Sequence, residues 1–538
     1  MEKKKNGFPM DLMIALCILG GVPSLVAAAG CLAGGADLEV HYHDVYLDQF
    51  DLSANATFKL RYLVDASCMN ASSSLPTTIV LYTGNEGPIT DFAANSGFLW
   101  SMAKRWNAAV VFIEERYFGT SVPLSGNPQR YLSSAQVLSD NVQVIAEALR
   151  PRFGRDARIV AVGGSYGGML AAWLRREHPS LVFAALASSA PVLGFAAPAT
   201  ARPGGADPAQ FWRTVERAFL ATPEGEACAQ TVRVAFDSIW RAKADAVGLA
   251  TLTTTFALCE PLAPPTSPRR SSSSSSSSGA TVVDLIGFLQ NWLQEIAVLN
   301  YPSGANFTGL RIPPHPAALT CSRILSALNE TAPSAPFREA AALRAGLTWA
   351  IAQRDPQCTA LSSFESYTPG LTKGAWSWQR CSDLIMAFEV ASDARMLLPC
   401  ASFAPNCWDT AALRSFGDFC AAAFGVAPPF GRMNMQAARL GGDGGVCGWS
   451  KNALSRVVFT NGALDPWSYG GVSAVNASSA CAPPAAMIVI EGAAHHYDLR
   501  TPLATDPPAV VAAREEVITM ITKWLDDDKD KDERWSPS

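Results

Sequence analysis

The chain has little of what metal-centred, nucleic-acid-binding or membrane-embedded proteins need. None of its thirteen cysteines forms a C-x-x-C pair, so the thiolate spacing of a zinc site is missing and no metal is expected. Only six histidines are present: His41, His43, His178, His315, His495 and His496. Positive charge is not in surplus. The 42 Lys and Arg stand against 47 Asp and Glu, a net charge of −5, which leaves no electrostatic footprint for nucleic acid. Past the first thirty residues no stretch reads as a membrane span. No motif asks for a cofactor.

What is present points to the secretory route. Lys3, Lys4 and Lys5 precede the apolar run "LMIALCILGGVPSLVAAAG", and Ala27-Ala28-Ala29 offers small residues for cleavage. Residues 1–29 therefore read as a signal peptide, leaving no stable membrane span once removed. Twelve cysteines outside that segment suit disulfides in an oxidising compartment. Asn55, Asn70, Asn306, Asn329 and Asn476 each open an N-x-S/T glycosylation sequon. Together these features predict a secreted or a lysosome- or vacuole-like protein.

Apolar, β-branched runs at 77–82, 108–113, 158–162 and 181–192 each end in a polar or glycine-rich loop. Runs of this kind suit strands buried on both faces of a parallel sheet, with helical crossovers between them. From about residue 196 to 450 the chain is rich in Ala, Leu, Trp and Cys at helical spacings, interrupted by the Ser-rich stretch 265–279, which cannot build a core. Sheet character returns at "SRVVFT" (455–460) and "AAMIVI" (485–490), followed by an amphipathic helix and a charged tail. The expected organisation is a mostly parallel α/β core in two parts, 40–195 and 451–525. A helical insertion at 196–450 separates them, and a tail covers 526–538.

Gly163-Gly164-Ser165-Tyr166-Gly167 matches G-x-S-x-G, after an expected strand and before an expected helix. That context makes a nucleophile elbow: a sharp turn lifts the Ser165 hydroxyl clear of the sheet, and the Tyr166 N–H lies at a helix start where an oxyanion can be held. A tightly packed glycine turn without chemistry is the plain alternative. A serine nucleophile needs a base, and in the hydrolase architecture the acid and histidine follow the serine on successive late strands. Asp465 follows "SRVVFT", and His495-His496 follow "AAMIVI". His41 and His43 precede the serine, His178 ends the elbow helix, and His315 lies in the insertion. Chain order does not choose between His495 and His496; Asp498 is a rival acid to Asp465, but it sits too close in sequence to the histidine pair to come from a separate loop.

The set "LYTGNEGP", "EERYFGTSVP", "YLSSAQVLSDN", "GGSYGGMLAAWLRREHP", "NGALDPWSYGGV" and "GAAHHYDLR" resembles the lysosomal Pro-X carboxypeptidase and dipeptidyl peptidase II family of serine exopeptidases. The resemblance spans most of residues 40–525. It implies an α/β-hydrolase core carrying a large, disulfide-bonded helical cap, and a triad of Ser165, Asp465 and His495. It implies an oxyanion hole from Tyr166 and the loop at Gly84, a proline pocket lined by Met169 and Trp467, and a place for Glu86 near a substrate amine. It also implies disulfides Cys228–Cys321, Cys259–Cys358 and Cys381–Cys420, peptide substrates with proline near a terminus, and a homodimer as one assembly of the family. Glu115, where the family usually has His, departs from the pattern, as do Ala135, the serine tract and a missing Cys near Glu389. An esterase or lipase on the same fold, or a hydrolase-like binding protein without catalysis, are the other readings.

Overall fold

The computed structural model describes residues 38–123, 131–192, 209–264, 280–354, 357–361, 374–384, 420–426, 455–472 and 485–534, together with Cys31, and with short breaks at 52, 70–76, 308 and 422. The segment expected as a signal peptide, the Ser-rich stretch, Asn70 and Asn476 lie outside the described residues.

Ten strands, and twelve helices of seven residues or more, organise the described chain. The strands are β1 (Glu39–Tyr46), β2 (Thr57–Asp65), β3 (Thr78–Tyr82), β4 (Ala109–Ile113), β5 (Arg158–Gly164), β6 (Ala184–Ser188), β7 (Ala305–Phe307), β8 (Leu310–Ile312), β9 (Val457–Gly462) and β10 (Ala485–Ile490). The helices are α1 (Ile89–Asn95), α2 (Phe98–Trp106), α3 (Ser134–Val144), α4 (Tyr166–Glu177), α5 (Ala209–Leu220), α6 (Gly225–Arg241), α7 (Ala246–Thr255), α8 (Val282–Val298), α9 (Pro316–Glu330), α10 (Arg338–Arg354), α11 (Ala375–Ser382) and α12 (Pro508–Arg534).

Eight strands form one sheet in the order β1-β2-β4-β3-β5-β6-β9-β10. The pairs from β4 to β10 are parallel, while β1–β2 and β2–β4 are antiparallel. This is the α/β-hydrolase arrangement. Every residue of β3, β4, β5 and β6 is buried, as is every residue of β9, because helices cover both faces. β1 sits at the edge and is mostly exposed, which explains why no uninterrupted apolar run announces it.

Between β6 and β9 lie α5 to α11 and the small β7–β8 hairpin. α6, α9 and α10 pack together, and Cys228 in α6 is bonded to Cys321 in α9. Cys259–Cys358 and Cys381–Cys420 are also joined. A fourth bridge, Cys31–Cys68, ties the N-terminal segment to the end of β2. Asn55, Asn306 and Asn329 are exposed. α12 runs on to Arg534, through the segment expected as a charged tail. Among the described residues no helix is long and apolar enough to cross a membrane.

The Cys228–Cys321 bridge closes 93 residues of chain. Replacing both cysteines by serine is expected to lower stability by about 4 kcal/mol through the freed unfolded state. A urea melt of the double variant beside the parent checks this, and the midpoint should fall.

Candidate active site

β5 delivers the chain into the elbow, and α4 carries it away. Ser165 sits between them at φ +58° and ψ −127°, a conformation that L-residues adopt only when the surroundings enforce it. Two glycines make the turn possible. A Cβ on Gly163 would run into the Gly167 backbone, and one on Gly167 would meet the Gly84 carbonyl and Asn85. Hydrogen bonds then hold the turn. The Ser165 N–H donates to the Ser188 carbonyl at 2.9 Å, Thr83 Oγ1 donates to the Gly167 carbonyl at 2.7 Å, and Asn85 Nδ2 donates to the Gly164 carbonyl at 3.1 Å. The "TGNEG" loop is thus stapled to the elbow, with Gly84 itself at φ +91°.

The two late strands bring the acid and the imidazole. Asp465, fully buried after β9, caps the short helical turn 466–470 by accepting from the Trp467 N–H at 2.9 Å. Its two carboxylate oxygens lie 2.9 Å from His495 Nδ1. That pairing assigns the proton of the neutral ring to Nδ1 and leaves Nε2 as its basic nitrogen. The His495 backbone is pinned by the insertion, since its N–H donates to Val298 at 3.3 Å and its carbonyl accepts from the Tyr301 hydroxyl at 3.0 Å. The His496 ring packs 4.5 Å from that of His495 and faces Gly164, beside Ser165.

The serine carboxypeptidase S28 family profile matches residues 45–272 and 351–517 of this chain. The chain belongs to that family. Lysosomal Pro-X carboxypeptidases from Pongo abelii and Homo sapiens are each 30% identical over 529 residues, covering 95% of this chain and 93% of theirs. The human thymus-specific serine protease is 24% identical over 90% of this chain and 87% of its own. The protein is a serine peptidase on an α/β-hydrolase scaffold, and its substrates are peptides.

Within this S28 peptidase the remaining expected site residues divide. Trp467 is partly exposed, 6.2 Å from the His495 ring, and meets Phe211 edge-on at 5.4 Å. Glu86 is half-buried in the stapled loop, where burial raises its carboxyl pKa against the pull of Asn85 and His495. Met169 has no exposed surface and lies in the core behind the elbow, so packing is its visible role. Asp498 is engaged elsewhere: its oxygens take the hydroxyls of Ser188 at 2.6 Å and Thr460 at 2.7 Å, tying β6 to β9. The ring of His496 stays neutral, because burial and then the charge of His495 push its pKa well down.

Sequence reasoning missed Asn85, Tyr301 and Gln379. Asn85 stood inside a quoted motif and was legible in principle as the polar residue after a sharp turn. Tyr301 and Gln379 come from the helical insertion, and no local pattern marks which of its residues turn toward the sheet.

Because the Gly163 contact is backbone against backbone, neither partner can yield. Gly163→Ala should cost about 3 kcal/mol. Gly287→Ala, on α8 with nothing within 4 Å of the added carbon, serves as the control. It should be neutral or stabilising by about 0.5–1 kcal/mol. Thermal melts of the two variants test the contrast.

Proposed function

We propose that this S28 peptidase is an exopeptidase that hydrolyses proline-adjacent peptide bonds, of Pro-X carboxypeptidase or X-Pro dipeptidyl peptidase type, with Ser165, Asp465 and His495 as its triad. The observation that carries the reading is the Asp465–His495 pair, built from two successive strand ends beside the strained Ser165 turn. His495 Nε2 takes the Ser165 hydroxyl proton as Oγ attacks the scissile carbonyl. Asp465 holds the ring's tautomer and stabilises the imidazolium. The Tyr166 N–H and an N–H of the Gly84 loop receive the oxyanion. Collapse of the tetrahedral adduct expels the amine, which takes the proton from His495, and leaves an ester on Ser165. Water, deprotonated by His495, then releases the acid and restores the serine.

The proline preference rests on Trp467. With Phe211 packed edge-on against it, and Tyr469 in turn against Phe211, that ring offers a flat apolar wall next to the imidazole, a shape that suits a pyrrolidine. The curated Pro-X carboxypeptidase relatives support the same reading. Glu86 is the side chain suited to meet a substrate amine. The disulfides and the lysosomal relatives support residence in the secretory pathway or a lysosome-like compartment.

Fluorophosphonate labelling and cleavage of prolyl chromogenic substrates test the assignment together. Ser165→Ala and His495→Ala should each lose about 10³-fold or more in kcat/KM. His496→Ala should keep far more activity, since its ring holds no bond to the acid. A His496→Ala loss as deep as that of His495→Ala would reject the choice of base. Hydrolysis of simple esters without prolyl-peptide cleavage would favour the esterase reading.

A further inference from the structure

The side chain of Tyr166, the residue after the nucleophile, is gripped by three separate elements. Its hydroxyl lies 2.7 Å from Gln379 Nε2 on α11, 3.3 Å from Ser134 Oγ at the start of α3, and 3.4 Å from Glu115 Oε1 in the loop after β4. Gln379 Nε2 also donates to Glu115 Oε1 at 3.1 Å. Asp383, just past α11, accepts from the Ser134 N–H at 2.6 Å and from Ser134 Oγ at 2.5 Å. The Trp376 ring on α11 packs 5.7 Å from that of Tyr166. The insertion is therefore fastened directly to the residue whose N–H faces the oxyanion.

Three carboxyl groups, that of Glu115 among them, and a phenol meet in this cluster. Glu115 is buried, and its Oε2 has no hydrogen-bond partner among the described residues. Gln379 Oε1 is a second buried acceptor without a donor there. The groups facing Glu115 are Glu86 from the loop after β3, Asp383 from the end of α11 and the Tyr166 phenol on α4. Arg116, next to Glu115 in sequence, pairs with Asp140 at 2.5 Å, and Arg61 pairs with Glu114 at 2.5 Å. Ionised, Glu115 would be a buried anion beside two other carboxylates; protonated, it loses that charge and removes one of the two unmet acceptors.

We propose that Glu115 is a positioning residue which, while it holds a proton, latches α11 to Tyr166 and so fixes the elbow backbone, and which loosens that latch when it ionises. The inference rests on the peptidase reading for its catalytic consequence but not for the latch itself. Burial, then the charge of Glu86, raises the Glu115 carboxyl well above its ordinary range. The sign follows. A carboxyl that binds its proton more tightly in the folded state contributes nothing adverse below its unfolded value, and destabilises the fold progressively as pH rises from there through its folded value.

The test compares wild type with Glu115→Gln, which keeps a hydrogen-bonding head but cannot ionise. Melting temperatures of the two proteins should diverge as pH rises from about 4, with Glu115→Gln becoming the more stable by about 2 °C or more near neutrality. The rate of Ser165 labelling by a fluorophosphonate, taken as a ratio of Glu115→Gln to wild type, should climb about threefold or more over the same range. Parallel melting curves overturn the latch. Diverging melts with a constant labelling ratio overturn its link to the elbow. If neither protein labels at any pH, the nucleophile assignment fails, and the melts still decide the latch. Tyr166→Phe removes the hydroxyl on which the latch closes, so its labelling rate as a ratio to wild type should be lowest at acidic pH and climb toward one as pH rises to neutral. An unchanged profile in that variant counts against the link even if Glu115→Gln does not fold.

Discussion

One steric constraint underlies the catalytic end of this protein: Ser165 must occupy a left-handed backbone position at the end of a buried strand. Nothing in an isolated serine favours that conformation, and its cost is of the order of 1–3 kcal/mol. It persists because its surroundings leave no alternative. β5 is buried along its whole length, and α4 begins at once at Tyr166. Gly163 and Gly167 meet backbone to backbone where no side chain would fit. The neighbouring strands then complete the enclosure, Thr83 and Asn85 from the end of β3 and the Ser188 carbonyl from the end of β6. The strain at one residue is thus borne by contacts from three strands.

The same logic explains why the insertion is more than a lid. The His495 backbone is held by Val298 and Tyr301 at the end of α8. Phe211 on α5 packs against Trp467, two residues after the acid. Gln379 reaches the Tyr166 hydroxyl from α11. Acid, base and elbow each lean on the insertion through a different helix, so a shift of those helices relative to the sheet would disturb all three at once. A site built this way gains precision from having its supports on two sides.

How much of this was legible beforehand follows from where the information lies. Strands buried on both faces announce themselves as uninterrupted apolar runs, and "TTIVLY", "AAVVFI", "RIVAV" and "SRVVFT" each became one; "AAMIVI" became β10, at the far edge of the sheet, with Val489 exposed. β1 escaped because most of its side chains face solvent and polar residues break its run. "DFAANSGFLWSMAKRW" reads as one helix but breaks at Ser96–Gly97, where the close approach of Thr501 to Gly97 leaves no room for a Cβ. Ser165, Asp465 and the histidine pair were readable because the hydrolase topology orders them along the chain. The choice between the histidines was not, since it depends on side-chain direction. Glu115 was visible only as a departure from pattern; its role arises from Gln379, 264 residues away.

Why the acid meets His495 and not His496 is a question of backbone rather than of ring chemistry, for the two side chains are identical. His496 stands at φ +36°, in the left-handed region, and its N–H is tied to Ser189 Oγ at 2.7 Å. That geometry sends its ring against Gly164, where an added Cβ would come within 3.0 Å of the imidazole and press it aside by a few tenths of an ångström. Half-buried there, it is held neutral first by loss of solvation and then by the nearby His495 and Arg500 charges. In the proposed mechanism His495 becomes an imidazolium, which a charged neighbouring imidazole would oppose and a neutral one does not. The second histidine is therefore compatible with the first only because it is kept from titrating, and the absence of a side chain at Gly164 is what makes room for it.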